Sequence, residues 1–272
     1  MRRSCYRKEV AQMLDTVEIT HTTTADQITD EAVQLYRSQG FIRVRGVLSP
    51  EEVERFREAA LRLSERMQSL HKGSVFTQLV NAWREDEVLR ELTLHPKLAR
   101  IAEALAGVPL RLWHDQVLIK QPQKSTATEF HQDQPYWPHA RSAHSLSAWV
   151  ALCDVPVERG CMTFIPGSHT RTELAAQNLE DPRSLFSLCP DLEWDARVTL
   201  PLRAGDCTFH HSRCAHMANP NVTHEPRVAH VIIYMDADTV YTGQPHVVTD
   251  PLALSPGQTL EGELFPRVGE RR

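Results

Sequence analysis

The first hundred residues carry apolar side chains at helical spacing, and capping residues mark where helices begin and end. Residues 26–39 present one partly apolar face, and Gly40 follows as a C-terminal cap would. Ser49-Pro50-Glu51-Glu52 combines an N-cap serine, a proline at the first helical position and a capping-box glutamate. This pattern predicts a second helix running to about Leu70. Two shorter helices are predicted over 86–94 and 96–105.

After Val108 the pattern changes to short β-branched segments that turn residues separate. Helices first and strands afterwards are typical of a β-barrel or sandwich with helices packed outside. Residues 171–195 are polar, contain proline and are weakly periodic, so we expect a long inserted loop that is either a lid or simply exposed to solvent. The predicted strands are 41–45, 110–113, 116–120, 147–153, 162–165, 207–210 and 228–234.

The length of 272 residues fits a single β-barrel domain with helical decoration. We assign residues 26–272 to this domain, with a helical part over 26–107, a barrel core over 108–236 and a possible lid insertion over 171–195. Residues 1–25 are predicted to be a mobile N-terminal segment. Their basic start lacks the apolar stretch of a signal peptide. The sequence has no apolar run long enough for a transmembrane helix.

Composition narrows the choice of partners. The net charge is −5 and no stripe of lysine and arginine is present, which disfavours nucleic acid and acidic membranes as partners. The six cysteines form no CxxC pair, so neither a zinc ribbon nor a redox motif is indicated. We expect reduced thiols in a cytoplasmic protein. The oligomeric state cannot be read from this pattern.

Two separated stretches hold the residues that could bind a metal. His131 and Asp133 have the i, i+2 spacing that places two side chains on one face of a strand. With fourteen histidines in the chain such a pair arises by chance, so a surface pair is the alternative. His216 lies far along the chain. Two histidines and one carboxylate fill one face of an octahedral metal site and leave three coordination positions open. A catalytic zinc site usually leaves only one coordination position open.

Arg227 stands at the start of an apolar strand. A buried arginine needs an anionic partner, because an unpaired buried charge is costly. The distal carboxylate of 2-oxoglutarate would supply one through a bidentate contact. A structural salt bridge is the alternative.

The sequence resembles the phytanoyl-CoA dioxygenase (PhyH) family of iron- and 2-oxoglutarate-dependent oxygenases. The resemblance runs from about residue 30 to 236. Its motifs, in order, are Gln39-Gly-Phe41 with Val47 to Glu52, Gln116 to Pro122, Phe130 to Trp137, Ser147 to Asp154, Gly160 to His169, and Gly205-Asp206 through His216 to Arg227.

This resemblance implies a mainly β fold with flanking helices, a double-stranded β-helix or jelly-roll, cupin-like barrel. It implies Fe(II), 2-oxoglutarate and O₂ as cofactor and cosubstrates, with no catalytic residue beyond the metal centre. The implied iron ligands are His131, Asp133 and His216. His210 and His211 compete for the third place, but the spacing of His216 to Arg227 fits the motif. The implied cosubstrate-binding residues are Arg227, Trp149, Gln116 and Lys120.

One departure from the family pattern stands two residues after His216. The family often has a serine there that helps to bind the cosubstrate, whereas this chain has Ala218. The hydrogen bond is therefore missing or is replaced, for instance by Asn219.

The function that the resemblance implies is oxidation, above all hydroxylation, of a small organic metabolite or natural-product intermediate, with release of succinate and CO₂. Asp133 argues against halogenation, which needs a small residue there. Epimerisation, cyclisation or desaturation at the same site are alternatives, as is a non-catalytic or other-metal cupin-like binding module. Residues considered for the substrate side are Phe76, Gln78, Asn81, Trp83, Gln134, Tyr136 and Trp137, with core packing as the alternative for the aromatic ones. His139 and His144 either line the mouth of the substrate site or lie in a solvated loop.

Overall fold

The computed structural model describes residues 22–25, 28–67 and 76–269. Within these ranges the α-helices are α1 (Asp30–Gln39), α2 (Pro50–Arg66), α3 (Glu87–Thr93), α4 (Pro96–Ala106) and α5 (Ser184–Leu188). The strands are β1 (Thr22–Thr24), β2 (Phe41–Arg45), β3 (Thr77–Val80), β4 (Leu110–Lys120), β5 (Thr128–His131), β6 (His139–Ala140), β7 (Leu146–Ala151), β8 (Met162–Phe164), β9 (Val198–Leu200), β10 (Cys207–His211), β11 (His216–Ala218), β12 (Arg227–Asp236) and β13 (Val240–Tyr241).

Two sheets carry the fold. The larger has seven strands in the order β1-β2-β10-β7-β12-β4-β3, and the smaller has four in the order β5-β11-β8-β9. A short third sheet pairs β13 with β6. All pairs except β1–β2 are antiparallel. Both large sheets share an apolar core and enclose one cavity, which agrees with the predicted double-stranded β-helix.

The helices form because local sequence signals specify their ends. Thr29 caps α1 by accepting a hydrogen bond from the backbone N–H of Ala32. Ser49 and Glu52 form the complete capping box of α2. Gly40 ends α1 at a φ of 85°. A side chain there would also meet the His169 ring at 2.6 Å, so glycine is needed for two reasons.

Helices α1 to α4 cover the outer face of the larger sheet. Apolar residues of α1 to α4 pack against residues such as Leu112, Val150 and Ile232, which point outward from β4, β7 and β12. The alternate residues of the same strands point inward. On β12 this alternation places Arg227 and Val231 on the cavity side, in a strand whose ten residues are all buried.

The structure differs from the sequence-based expectations at several boundaries. The strands predicted at 110–113 and 116–120 form one continuous strand, β4. The larger sheet also includes β2 and β3, so the barrel begins before residue 108. Thr22–Thr24 pair with β2, although they lie in the segment expected to be mobile. The rest of that segment up to residue 21, and the predicted end of α2 at Leu70, lie outside the described residues.

The cysteine and membrane predictions can be compared directly with the structure. The five cysteines within the described ranges are all free and buried, as expected for reduced thiols. Within the described residues, every helix is too short or too polar to span a bilayer.

Candidate active site

A cavity of about 290 Å³ opens between the two large sheets. Its walls combine the three predicted iron ligands with aromatic and amide side chains. The described lining residues are Phe76, Gln78, Val80, His114, Gln116, Leu118, Thr128, His131, Asp133, Tyr136, Trp137, Trp149, Met162, Leu179, His210, His216, Ala218, Arg227, Val231, His246 and Val247.

Two strands of the smaller sheet bring the two candidate ligand histidines together. His131 ends β5 and His216 begins β11, and the two are register partners in this antiparallel pair. Their ring centroids lie 4.3 Å apart. Potential donor atoms of His131, Asp133 and His216 all lie within 4.8 Å of one another. The three side chains that the sequence singles out therefore converge on one point.

Asp133 reaches this point by a different route from the one the sequence pattern implied. The strand ends at His131, and Asp133 has helical backbone angles of −75° and −42° at the start of a 3₁₀ helix. The expectation that an i, i+2 pair shares one strand face is thus wrong for Asp133. Instead, the backbone N–H groups of Asp133 and Gln134 donate to the carbonyl of Ser212 at 2.8 and 3.0 Å, which fixes the turn.

Hydrogen bonds at the far side of each ring orient the two histidines. Nδ1 of His131 lies 2.7 Å from the carbonyl of Glu129, and Nδ1 of His216 lies 2.9 Å from that of Cys214. A ring that donates from Nδ1 has its lone pair on Nε2. Both Nε2 atoms lie near Oδ1 of Asp133, at 3.6 Å for His131 and 3.8 Å for His216. The donor atoms therefore face a common position.

The protonation states also suit metal binding. Burial lowers the pKa of His216 to about 3, so its imidazole is neutral. Burial opposes ionisation of Asp133, but the neighbouring His216, His131 and His210 hold the pKa of the carboxyl well below its usual value. A carboxylate and neutral imidazoles are the forms that bind a metal. This set fits the two-histidine, one-carboxylate face of a non-haem Fe(II) site.

Arg227 fits an anionic ligand. Its side chain is 1% exposed, and its Nε and Nη1 have no hydrogen-bond partner among the described residues. Its guanidinium carbon lies 5.0 Å from the centre of the Trp149 ring. Burial lowers the pKa of Arg227 to about 10, so the group stays charged at neutral pH. A buried cation that lacks a carboxylate in the protein provides the site that a dicarboxylate such as 2-oxoglutarate requires.

The other two residues assigned to the cosubstrate differ in position. Gln116 lines the cavity and accepts a hydrogen bond from the amide of Gln78. Lys120 is buried beside Arg227 in the β4–β12 pair and is not among the lining residues. Its Nζ donates to the carbonyls of Thr126 and Ala218 at 2.7 and 3.3 Å. Burial and the charge of Arg227 lower the pKa of Lys120 to about 7.

Asn219 does not replace the serine that is missing two residues after His216. Ala218 lines the cavity. The Asn219 amide donates to the carbonyl of Cys161 at 3.1 Å, and the residue is not among those that line the cavity. Thr128 is the register partner of Ala218 and does line the cavity, so a hydroxyl is present on the adjacent strand.

Only some of the residues considered for the substrate side line the cavity. Phe76, Gln78, Tyr136 and Trp137 do, whereas Asn81, Trp83 and Gln134 do not. His139 is half-buried, with its ring beside those of Trp113 and Trp137, and His144 pairs with Asp236 at 2.7 Å. Neither histidine is among the residues that line the cavity, so the structure does not support the mouth of the substrate site over the loop alternative.

Sequence reasoning missed several cavity residues, among them His114, His246 and Leu179. His114 shares the period-two spacing of Gln116 and Leu118 along β4, a signal that would have identified it. His246 follows the last predicted strand, and Leu179 lies in the 171–195 insertion, so neither had a periodic pattern to mark it.

The 171–195 insertion contains α5 and packs onto the smaller sheet. Leu185, Phe186 and Leu192 form an apolar cluster with Phe130 of β5. It is also tied to the loop that holds Asp133, because the side chain of Gln177 accepts from the backbone N–H of Gln132 at 2.8 Å. The insertion is therefore anchored next to the candidate metal site.

Comparisons with known proteins agree with this geometry. The family model of phytanoyl-CoA dioxygenase (PhyH) matches residues 36–229. Phytanoyl-CoA dioxygenase domain-containing protein 1 of Rattus norvegicus is 30% identical over 159 residues, 56% of this chain and 54% of that protein. The Mus musculus protein of the same name is 29% identical and is also covered to 54%. The chain thus spans about half the length of these relatives.

Solved structures resemble the chain over most of its length. The non-heme alpha ketoglutarate dependent carbocyclase SnoK from nogalamycin biosynthesis is 42% identical, with a TM-score of 0.82 over 91% of this chain and 99% of that one. The epimerase SnoN, in complex with Fe3+, alpha ketoglutarate and nogalamycin RO, is 40% identical, with a TM-score of 0.76 over 86% and 96% of the chains. The expected fold is confirmed, and iron with 2-oxoglutarate is confirmed as the cofactor pair of this structural group. Because its model covers well over half of the sequence, the protein belongs to the phytanoyl-CoA dioxygenase (PhyH) family.

Proposed function

We propose that the protein is a non-haem Fe(II)- and 2-oxoglutarate-dependent oxygenase that oxidises a small organic metabolite or natural-product intermediate. The observation that carries this proposal is the convergence of His131, Asp133 and His216 in a cavity that also contains the unpaired cation Arg227. Bound iron and 2-oxoglutarate would supply O₂ activation coupled to decarboxylation of 2-oxoglutarate to succinate and CO₂. In a hydroxylation, one oxygen atom enters succinate and the other the substrate.

The chain's own residues would bind and orient these groups. His131, Asp133 and His216 would hold iron through one face and leave three positions open. Arg227 would bind the far carboxylate of 2-oxoglutarate, with the Trp149 ring against its guanidinium. The inner location of Arg227 on β12 would hold the cosubstrate away from bulk water.

The remaining wall indicates what kind of substrate fits. Apart from Arg227, no lysine or arginine is present among the described residues that line the cavity. An acyl-CoA would need cations for its phosphates, so the family's namesake substrate class is not supported by this wall. Burial lowers the pKa of His114 to about 3, so this imidazole is neutral. Neutral imidazole and amide groups with aromatic rings suit an uncharged molecule with hydrogen-bonding groups.

Carbocyclisation or epimerisation is the second candidate. The two structural neighbours at 42% and 40% identity are a carbocyclase and an epimerase. Both outcomes use the same iron, cosubstrate and O₂ as hydroxylation, so the metal site is compatible with each. Mass analysis of the product separates hydroxylation from epimerisation. Hydroxylation adds one oxygen atom, about 16 mass units, whereas epimerisation leaves the mass unchanged.

The test is anaerobic addition of Fe(II) and 2-oxoglutarate, followed by O₂ and a panel of natural-product intermediates. We expect a visible charge-transfer band before O₂ is added and substrate-dependent succinate afterwards. Phytanoyl-CoA serves as the comparison substrate, with little succinate expected. A protein that binds Fe(II) but gives neither the band nor succinate would contradict the cosubstrate assignment. Stable binding of zinc with no response to 2-oxoglutarate would favour the other-metal alternative.

A further inference from the structure

A third imidazole contacts the proposed iron site from the larger sheet. His210 lies on β10, is 2% exposed and lines the same cavity as the triad. Its ring centroid is 4.6 Å from that of His216. Its Nε2 lies 3.5 Å from Oδ2 of Asp133, whereas the imidazoles of His131 and His216 face the other oxygen, Oδ1. The two carboxylate oxygens therefore have different surroundings.

A second donor meets the same oxygen from the adjacent strand. Ser147 on β7 donates its Oγ–H to Oδ2 of Asp133 at 3.2 Å. His210 and Ser147 are register partners in the antiparallel β7–β10 pair. The backbone ladder that joins these strands thus places both side chains at one carboxylate oxygen. Rigid strands hold such contacts more accurately than a loop would.

The tautomer of His210 follows from its surroundings. Its Nδ1 is buried and has no hydrogen-bond partner among the described residues. The close polar contact of the ring is the one between Nε2 and Oδ2 of Asp133. A lone pair on Nε2 would face the negative carboxylate oxygen, whereas an N–H at Nε2 is attracted to it. Donation from Nε2 is the favourable arrangement. Such contacts are often long in a protein without its ligands and shorten when the ligands bind.

We propose that His210 is a positioning residue that donates to Oδ2 of Asp133 and, together with Ser147, reserves Oδ1 for iron. The inference rests on the proposed function in that it takes the triad as an iron site. A carboxylate without these donors can bind iron through both oxygens. It would then occupy one of the three positions that 2-oxoglutarate and O₂ need. Partners behind the ligands commonly have this orienting role.

The test measures metal binding in the full-length protein, without turnover. His210→Asn and His210→Gln form a matched pair, because the asparagine amide is too short to reach the Nε2 position and the glutamine amide reaches it. Fe(II) affinity is measured anaerobically, and the ligand-field spectrum of the Co(II) form reports the coordination number. We expect H210N to bind Fe(II) about 10- to 100-fold more weakly and to change the Co(II) spectrum. H210Q should stay close to the original protein in both.

Two controls identify alternative outcomes. His211→Gln changes the adjacent buried histidine, whose Nε2 contacts the carbonyl of Ala143, and should leave metal affinity unchanged. His131→Ala removes a proposed ligand and should weaken binding more than H210N does. An H210N protein with unaltered affinity and Co(II) spectrum would overturn the proposal. So would an H210Q protein as impaired as H131A, because His210 would then be a ligand itself. Failure of the original protein to bind Fe(II) would instead contradict the proposed function.

Discussion

The guanidinium of Arg227 lies against the indole ring of Trp149, with its carbon 5.0 Å from the ring centre. The two side chains come from the neighbouring strands β12 and β7 and face the same cavity. No carboxylate of the described protein pairs with this buried arginine. The aromatic contact stabilises the cation but does not satisfy its N–H groups, so the pair is suited to hold a ligand carboxylate.

Replacing Arg227 by alanine should weaken 2-oxoglutarate binding by about 1.5–3 kcal/mol, which is roughly a 10- to 100-fold rise in Kd. The loss is expected because a charge-assisted bidentate contact disappears. Anaerobic titration of the Fe(II) protein with 2-oxoglutarate measures it. R227K keeps the charge but not the fork of donors and should be intermediate. An equal rise in the requirement for organic substrate and for 2-oxoglutarate would contradict an anchoring role.

Trp149→Leu should weaken 2-oxoglutarate binding by about 1–2 kcal/mol, because the cation–π contact to Arg227 is lost in a desolvated place. W149F keeps an aromatic face and should lose less. The same titration measures both variants. Trp194 is 87% exposed, so W194L controls for the loss of an indole. Comparable affinities for W149L and W149F would show that the ring face is not what matters.

Lys120 should make the stability of the ligand-free protein depend on pH. Its pKa is about 7 in the folded state, against an ordinary value of 10.5. Between these values the unfolded chain binds more protons, so this group's contribution to stability rises with pH and its burial cost is fully present below pH 7. From pH 7 to about pH 8.5 the gain should be about 1–2 kcal/mol.

Urea unfolding of the original protein and of K120M at these two pH values tests this dependence. Methionine preserves most of the side-chain volume and has no charge. The free energy of unfolding of the original protein should therefore rise relative to that of K120M as the pH rises. A constant difference across this window would show that the amine keeps an ordinary pKa.

Asp115→Ala should cost about 3–5 kcal/mol of unfolding free energy. The carboxylate is fully buried, and its Oδ2 accepts from the backbone N–H of Trp83 at 3.0 Å and from Thr93 at 2.9 Å. It also lies 3.3 Å from Nε2 of the buried His230. Removing it leaves these groups unpaired. The exposed Asp195 gives the control, and D195A should change stability by less than about 0.5 kcal/mol.

Gln177→Ala should loosen the 171–195 insertion. The side chain accepts from the backbone N–H of Gln132, and the Gln177 carbonyl accepts from the Tyr136 hydroxyl. Loss of the first bond should raise the rate of limited proteolysis within the insertion about 5- to 30-fold, the equivalent of about 1–2 kcal/mol of local opening. D195A again serves as the control. Equal cleavage of Q177A and the original protein would show that α5 and its apolar contacts alone hold the segment.

Local signals in the sequence were sufficient for much of the outer architecture. The capping box at Ser49 and the glycine at residue 40 specified helix ends, because caps depend on residues within one turn. A run of apolar, β-branched residues identified β12 as a buried strand with Arg227 at its start. No bounds were predicted for β5 and β11, because they have four and three residues, too few for a period to emerge.

The sequence by itself determined which residue types were available for an iron site and, through the family motifs, which three to choose. Only the tertiary structure decided how they meet. His131 faces His216 through a strand pairing over 85 positions of the chain, and Asp133 joins them from a turn that Ser212 fixes. It also separated His210 from His216, because the two lie on different sheets and approach different oxygens of one carboxylate. Such distinctions depend on contacts between distant segments, and no local pattern encodes them.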